Sequence, residues 1–146
     1  MRNVTIIRQE SQKTNVCKVA DVGGWSFVAN DLVKGLKSGD IITAQGPLGA
    51  GKTTFVQALA KELGIKKTPQ SPTFSLLRSY VIPTRTDLKR LVHIDAYRID
   101  DEHDLQALDL DEELAEPGTL LVIEWPEKIP TWISHHAVRV IQLQIR

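Results

Sequence analysis

The sequence predicts an α/β domain: a central, mostly parallel sheet flanked by helices, with the C-terminal strand at the edge. Three observations carry that expectation. Short β-branched runs alternate with amphipathic stretches of helical period. Turn-forming residues punctuate the chain at Gly23-Gly24, Ser38-Gly39-Asp40, Pro69 and Pro72, Pro83-Thr84, Pro117-Gly118, and Pro126 and Pro130. One glycine-rich loop stands between a strand pattern and a helix pattern, at residues 46–53. The chain has 146 residues, 42% hydrophobic and 25% charged, which suits a single domain over residues 1–146.

The elements follow in order. Residues 4–8 alternate as a short strand. Residues 25–36 have helical spacing, with Phe27, Val28, Leu32 and Leu36 on one face. Residues 41–44 form a β-branched strand. Residues 52–63 form a helix that aligns Phe55, Val56, Leu59 and Leu63, and Gly64 is placed to end it. Residues 74–82 and 91–95 read as strands, and 104–114 as one helix or two short ones. Residues 119–124 are apolar enough for a strand buried on both faces. Residues 137–146 form the last strand, with Ile141, Leu143 and Ile145 on one face.

Composition excludes several classes. Eighteen Lys and Arg balance eighteen Asp and Glu, so the chain is no polycation. A single cysteine, Cys17, permits neither an internal disulfide nor a cysteine-based zinc site, and is read as a small apolar filler. The apolar run at residues 4–7 is too short for a secretory segment, and that at 120–123 too short for a membrane span. The expected location is the cytoplasm, with no membrane partner.

Gly46-Pro47-Leu48-Gly49-Ala50-Gly51-Lys52-Thr53 matches G-x-x-x-x-G-K-[ST] in full. Average residue usage gives such a match about once in 30,000 windows. Polyphosphate needs many donors at once. Glycine lets backbone N–H groups turn inward, so the loop amides of Gly46, Leu48, Gly49, Ala50 and Gly51 are nucleotide-binding candidates. The following helix adds its unpaired N–H groups and positive dipole end. Lys52 supplies a charge to the β- and γ-phosphates, the Thr53 hydroxyl can ligate Mg²⁺, and Thr54 can reach the α-phosphate. The expected ligands are therefore ATP and Mg²⁺, on a P-loop NTPase fold.

Such a loop also needs an acid at a strand end to complete the metal's shell. Two candidates exist, Glu124 after Leu120-Leu121-Val122-Ile123 and Asp95 after Leu91-Val92-His93-Ile94. Parallel sheets place ligands at the carboxyl ends of their strands, which suits both. Each has a plainer reading as a helix cap or a solvated strand end. Thr73, in Ser71-Pro72-Thr73-Phe74, reads either as a switch residue sensing the γ-phosphate or as part of a turn into the next strand.

Together the loop with Thr54, Ser71-Pro72-Thr73-Phe74, His93-Ile94-Asp95-Ala96-Tyr97-Arg98 and Ile123-Glu124-Trp125-Pro126-Glu127 resemble the TsaE (YjeE) family of small bacterial ATPases. These proteins take part in making threonylcarbamoyladenosine on tRNA. The resemblance spans about residues 25–127. It implies that Lys52 and the loop amides bind ATP, that Thr53 and Glu124 hold Mg²⁺, and that Asp95 and Thr73 lie near the γ-phosphate. Asp95 would orient the attacking water, making Asp95 and Glu124 the catalytic pair. It further implies TsaD and TsaB as partners, tRNA reached through their complex, and hydrolysis that is slow alone, rises with the partners and resets the complex between turnovers. The chain departs from the family in having Pro47 where Asp is usual, Ala96 where a large apolar residue is usual, and Trp25 where Thr is common.

Charge is segregated along the chain. Residues 52–98 carry nine Lys and Arg against three acids, and residues 100–116 carry nine acids with no Lys or Arg. The plain reading is two solvated faces; the sharper one has a basic side meeting tRNA or an acidic partner, and an acidic side docking a basic one. Residues 84–90 are expected as an exposed loop able to touch tRNA. His135-His136 is read as surface and Trp132 as a packing anchor, while Trp125 is expected beside the metal site. Two other functions compete: a small P-loop kinase acting on a metabolite, with Arg85, Lys89 and Arg90 as its lid, and a nucleotide-gated binding module with negligible turnover.

Overall fold

The computed structural model describes residues 2–69 and 76–146. In chain order the strands are β1 (Arg2–Arg8), β2 (Lys13–Val19), β3 (Ile41–Gln45), β4 (Leu77–Val81), β5 (Arg90–Asp95), β6 (Thr119–Glu124) and β7 (Val140–Ile145). The helices are α1 (Val22–Val33), α2 (Lys52–Glu62), α3 (Leu110–Ala115) and α4 (Pro130–His135). The strands make one sheet in the order β2-β1-β7-β3-β6-β5-β4. Its centre is parallel, through β7–β3, β3–β6 and β6–β5, and its margins are antiparallel. The fold is the α/β, P-loop type that the sequence predicts.

The C-terminal strand corrects the expectation. β7 is an inner strand, parallel to β3 on one side and antiparallel to β1 on the other. The edge belongs to β2, which the sequence reading passed over. Five of its seven residues are exposed, so it shows little apolar signal, and its partner β1 covers only one side. Cys17 on β2 packs against the core as a half-buried thiol.

Period-2 alternation sorts the central strands into two faces. Ile42, Ala44, Leu91, Leu120, Val122, Leu143 and Ile145 face α1 and α2. Ile41, Val92, Ile94, Leu121, Ile123 and Val140 face the other layer, where Leu105, Leu110 and Ile129 pack. All six residues of β6 are buried, as expected of a strand covered on both sides.

Helix α1 starts at Asp21, whose side chain accepts from the Gly24 N–H at 3.0 Å. Its buried residues are Trp25, Val28, Ala29 and Leu32, an i, i+3, i+4, i+7 stripe. Val28, Leu32 and Leu36 are buried as expected, but Phe27 points outward, 72% exposed. Trp25 takes its place and packs on Phe55 of α2, with ring centroids 5.9 Å apart. Helix α2 buries Phe55, Val56 and Leu59 completely, each contributing about 1.5–3 kcal/mol. It ends at Gly64 with φ +78°, where the Ile65 N–H returns to Ala60 O at 3.0 Å.

Residues 84–90 are not a free lid. Arg85 donates to Val33 O and Leu36 O at the end of α1, and Thr84 donates to Leu63 O at the end of α2. Leu88 is fully buried. Arg90 ion-pairs with Glu113 at 2.7 Å and Glu116 at 3.1 Å, tying the acidic segment to the sheet. The arginines proposed for a kinase lid are thus committed to holding the fold.

The acidic stretch forms a 3-10 helix at Glu102–Leu108 followed by α3. Trp132 anchors α4 to it, donating from its backbone N to Glu102 and from its indole to Asp111. His136 stacks on Trp132 at 4.1 Å and reaches Asp111 at 3.0 Å, so it is a packing residue, whereas His135 is exposed. Among the described residues no helix is long and apolar enough to cross a membrane.

Candidate functional site

A cleft of about 270 Å³ opens at the carboxyl ends of β3, β5 and β6. Leu48, Gly49, Gly51, Lys52, Thr53, Thr54, Asp95 and Glu124 line it, with Tyr97 and Trp125. Eight of the residues singled out from the sequence therefore converge. Gly46 and Ala50 sit in the loop wall. Gly46 contributes its carbonyl, and the Ala50 N–H closes a turn onto Pro47 O at 3.1 Å. Thr73 lies outside the described residues.

The loop leaves β3 at Gln45 and turns into α2 at Gly51. Gly51 has φ +108°, and a Cβ there would lie 2.8 Å from Cζ2 of Trp25. Both the backbone and the indole therefore demand glycine. We expect Gly51→Ala to destabilise the fold by about 1–3 kcal/mol, read by urea unfolding. An unchanged midpoint would show that loop and indole separate at no cost.

Among the described residues no side chain caps the start of α2, whereas α1 and α3 carry Asp caps. The positive dipole end of α2 faces the cleft. Lys52 is only 5% exposed. Its Nζ donates to Gly46 O at 2.6 Å and Pro47 O at 2.8 Å and lies 4.1 Å from the Trp125 ring centre. Burial lowers its pKa, opposed by the charges of Glu124, Glu127 and Asp95. An anion in the cleft would relieve that desolvation.

The two acids stand side by side, because β5 and β6 pair in parallel with Asp95 opposite Glu124. Thr53 separates their roles: its hydroxyl donates to Glu124 Oε1 at 3.0 Å. Glu124 is 2% exposed, and its other oxygen lies 2.6 Å from His93 Nε2. Asp95 is half-buried and accepts from the Tyr97 N–H at 3.0 Å. Burial raises its pKa, the Tyr97 N–H opposes this, and the charge of Glu124 adds to the rise. A cation between the two carboxylates would favour both ionised forms.

Trp125 holds φ +60°, unusual for a bulky residue. Its N–H reaches Ala44 O, and its ring packs on Tyr97, 5.0 Å between centroids. Strain of this kind gathers at working sites. In the sequence Tyr97 and His93 stand out only as parts of a motif; their places depend on the β5–β6 register, a long-range pairing.

The comparisons with known proteins decide the family. The model of the family described as threonylcarbamoyl adenosine biosynthesis protein TsaE matches residues 21–146. The chain belongs to the TsaE family. Among its relatives named tRNA threonylcarbamoyladenosine biosynthesis protein TsaE, that of Aquifex aeolicus is 41% identical over 69% of this chain and 68% of its own. Those of Streptomyces coelicolor and Bacillus subtilis are 42% and 38% identical, over 66% and 72% of this chain. The matched stretch spans only 63% and 62% of those two relatives' lengths. The solved structure of Bacillus subtilis YdiB superposes with a TM-score of 0.58 at 31% identity, over 77% of this chain and 65% of that one.

Proposed function

We propose that this chain is a Mg²⁺-dependent ATPase serving tRNA N6-threonylcarbamoyladenosine biosynthesis, acting on the TsaD–TsaB complex and resetting it between turnovers. The observation that carries the ATPase reading is the uncapped start of α2 with Lys52, facing a cleft in which Thr53 already meets Glu124. The family membership and the relatives' names carry the tRNA pathway.

The donor set fits magnesium and a polyphosphate. Among the described residues no group of three or more His, Cys, Asp or Glu could hold a metal alone. Thr53 and Glu124 give two oxygen ligands, too few for a dedicated cage and suited to a Mg²⁺ that shares phosphate oxygens and water. When bound, such an ion neutralises charge that builds on the transferring phosphoryl group. Lys52 and the amides of Leu48, Gly49, Gly51, Thr53 and Thr54 bind and orient the phosphates. Asp95 stands across the cleft, where its carboxylate can orient water at the terminal phosphorus. Tyr97 and Trp125 shield one wall. The second reading, a metabolite kinase, loses its lid to the contacts of Arg85 and Arg90.

The test is phosphate release from Mg·ATP by the chain alone and with TsaD and TsaB added. Slow turnover that rises with the partners supports the proposal. Phosphorylation of a small metabolite, or no nucleotide binding, overturns it. We further expect Asp95→Ala to lower turnover about 10²–10⁴-fold with little loss of ATP affinity. Wild-type turnover in that variant would remove Asp95 from the chemistry.

A further inference from the structure

His93 stands in a row where its neighbours are apolar. On the face of the sheet that packs on α1 and α2, β5 contributes Leu91, His93 and Asp95, and β6 contributes Leu120, Val122 and Glu124. His93 is opposite Val122 in the register, one step in from the Asp95–Glu124 pair. It is completely buried. Its Nε2 is 2.6 Å from Glu124 Oε2, while its Nδ1 is buried with no hydrogen-bond partner among the described residues. Packing alone favours an apolar side chain here, since a buried orphaned polar atom destabilises the fold. What the imidazole provides in return is one short hydrogen bond to one oxygen of Glu124.

That bond has a geometric consequence. A glutamate side chain has three rotatable bonds, and its carboxylate can turn either oxygen to the cleft. Here Oε2 is taken from below by His93, and Oε1 is left facing the Thr53 hydroxyl. We propose that His93 is a positioning residue for the metal site: from the neighbouring strand it locks the Glu124 carboxylate so that Oε1 alone is presented beside Thr53. It touches neither nucleotide nor metal and acts wholly through Glu124. This rests on the reading that Thr53 and Glu124 hold magnesium. Groups that orient a ligating carboxylate in this way are typically worth about 10–100-fold in metal affinity.

The polar isosteres His93→Gln and His93→Asn test it. Glutamine can place an amide N–H near the position of Nε2; asparagine places it near Nδ1, too far from Glu124. The binding of a non-hydrolysable ATP analogue is measured by calorimetry in EDTA and across a Mg²⁺ titration, with thermal melts alongside. We expect all three proteins to bind the analogue equally in EDTA. The apparent Mg²⁺ affinity in the presence of analogue should fall about 10–100-fold in His93→Asn and stay near wild type in His93→Gln. In the metal-free wild type, a long-range ¹H–¹⁵N spectrum should show a proton on Nε2 shielded from exchange, and Glu124→Ala should expose it. Equal Mg²⁺ affinity in the Asn and Gln variants, or melting changes with no shift in Mg²⁺ affinity, overturns the proposal. A wild-type protein whose analogue binding ignores Mg²⁺ brings down the metal reading itself and the proposal with it. The two failures are distinct, because only the second abolishes the wild-type response.

Discussion

Lys52→Ala is expected to abolish nucleotide binding. Among the described residues its ammonium is the one side-chain cation lining the cleft, and it is already partly stripped of water. Hydrogen bonds to charged partners are worth about 1.5–3 kcal/mol each, and the ammonium can offer more than one to a polyphosphate. Losing two costs about 3–6 kcal/mol, or roughly 10²–10⁴-fold in affinity. The same substitution removes the Lys52 hydrogen bonds to Gly46 O and Pro47 O, leaving the Ala50 N–H bond to Pro47 O as the tie within the loop. Calorimetric titration with ATP reads the first effect and a thermal melt the second. Retention of ATP affinity within a few-fold of wild type would show that amides alone grip the phosphates, and Lys52 would leave the site.

Glu124→Ala is expected to act on the other quantity. Much of the ATP binding should survive, because Lys52 and the α2 N–H groups remain. Hydrolysis should fall by orders of magnitude, since charge stabilisation by a correctly held metal supplies several kcal/mol and each 1.36 kcal/mol is about tenfold in rate. The truncation also removes the acceptor of His93, leaving both ring nitrogens buried without partners among the described residues. A loss of stability of about 1–3 kcal/mol is expected from that. Turnover at saturating Mg·ATP, taken together with ATP affinity, separates the two. A variant that loses affinity and keeps its maximal rate would place Glu124 in binding and not in hydrolysis.

The contrast between these two residues also marks what the sequence could disclose. The loop, its lysine and its two threonines are contiguous, and a strand–loop–helix unit is fixed by local chemistry. Glu124 and Asp95 were legible because a carboxylate ending an apolar run is anomalous on its own. Whether they meet depends on strand register, which no local pattern encodes. The same holds for His93, whose role exists only once β5 lies against β6. On α1 the expected face holds at Val28, Leu32 and Leu36 but not at Phe27. The helix instead buries Trp25 and Ala29, since Trp25 fills the space beside the side-chain-free Gly51. β2 left little trace because an edge strand with one side to solvent needs few apolar residues. The interior place of β7 is a matter of topology, decided by β1 returning to pair with it.

That returning pair bears on how the molecule comes into being on the ribosome. β1 and β2 precede the other five strands in the chain, yet among the described residues they join the rest of the sheet through β7, which follows all of them. At ordinary elongation speeds the hairpin waits on the order of ten seconds for its neighbour. A lone two-stranded ribbon is barely stable in water, so it is expected to flicker open throughout that interval with its free edge exposed. The unpaired edge thus persists from the emergence of the hairpin until β7 follows, and protection by a chaperone matters throughout that interval.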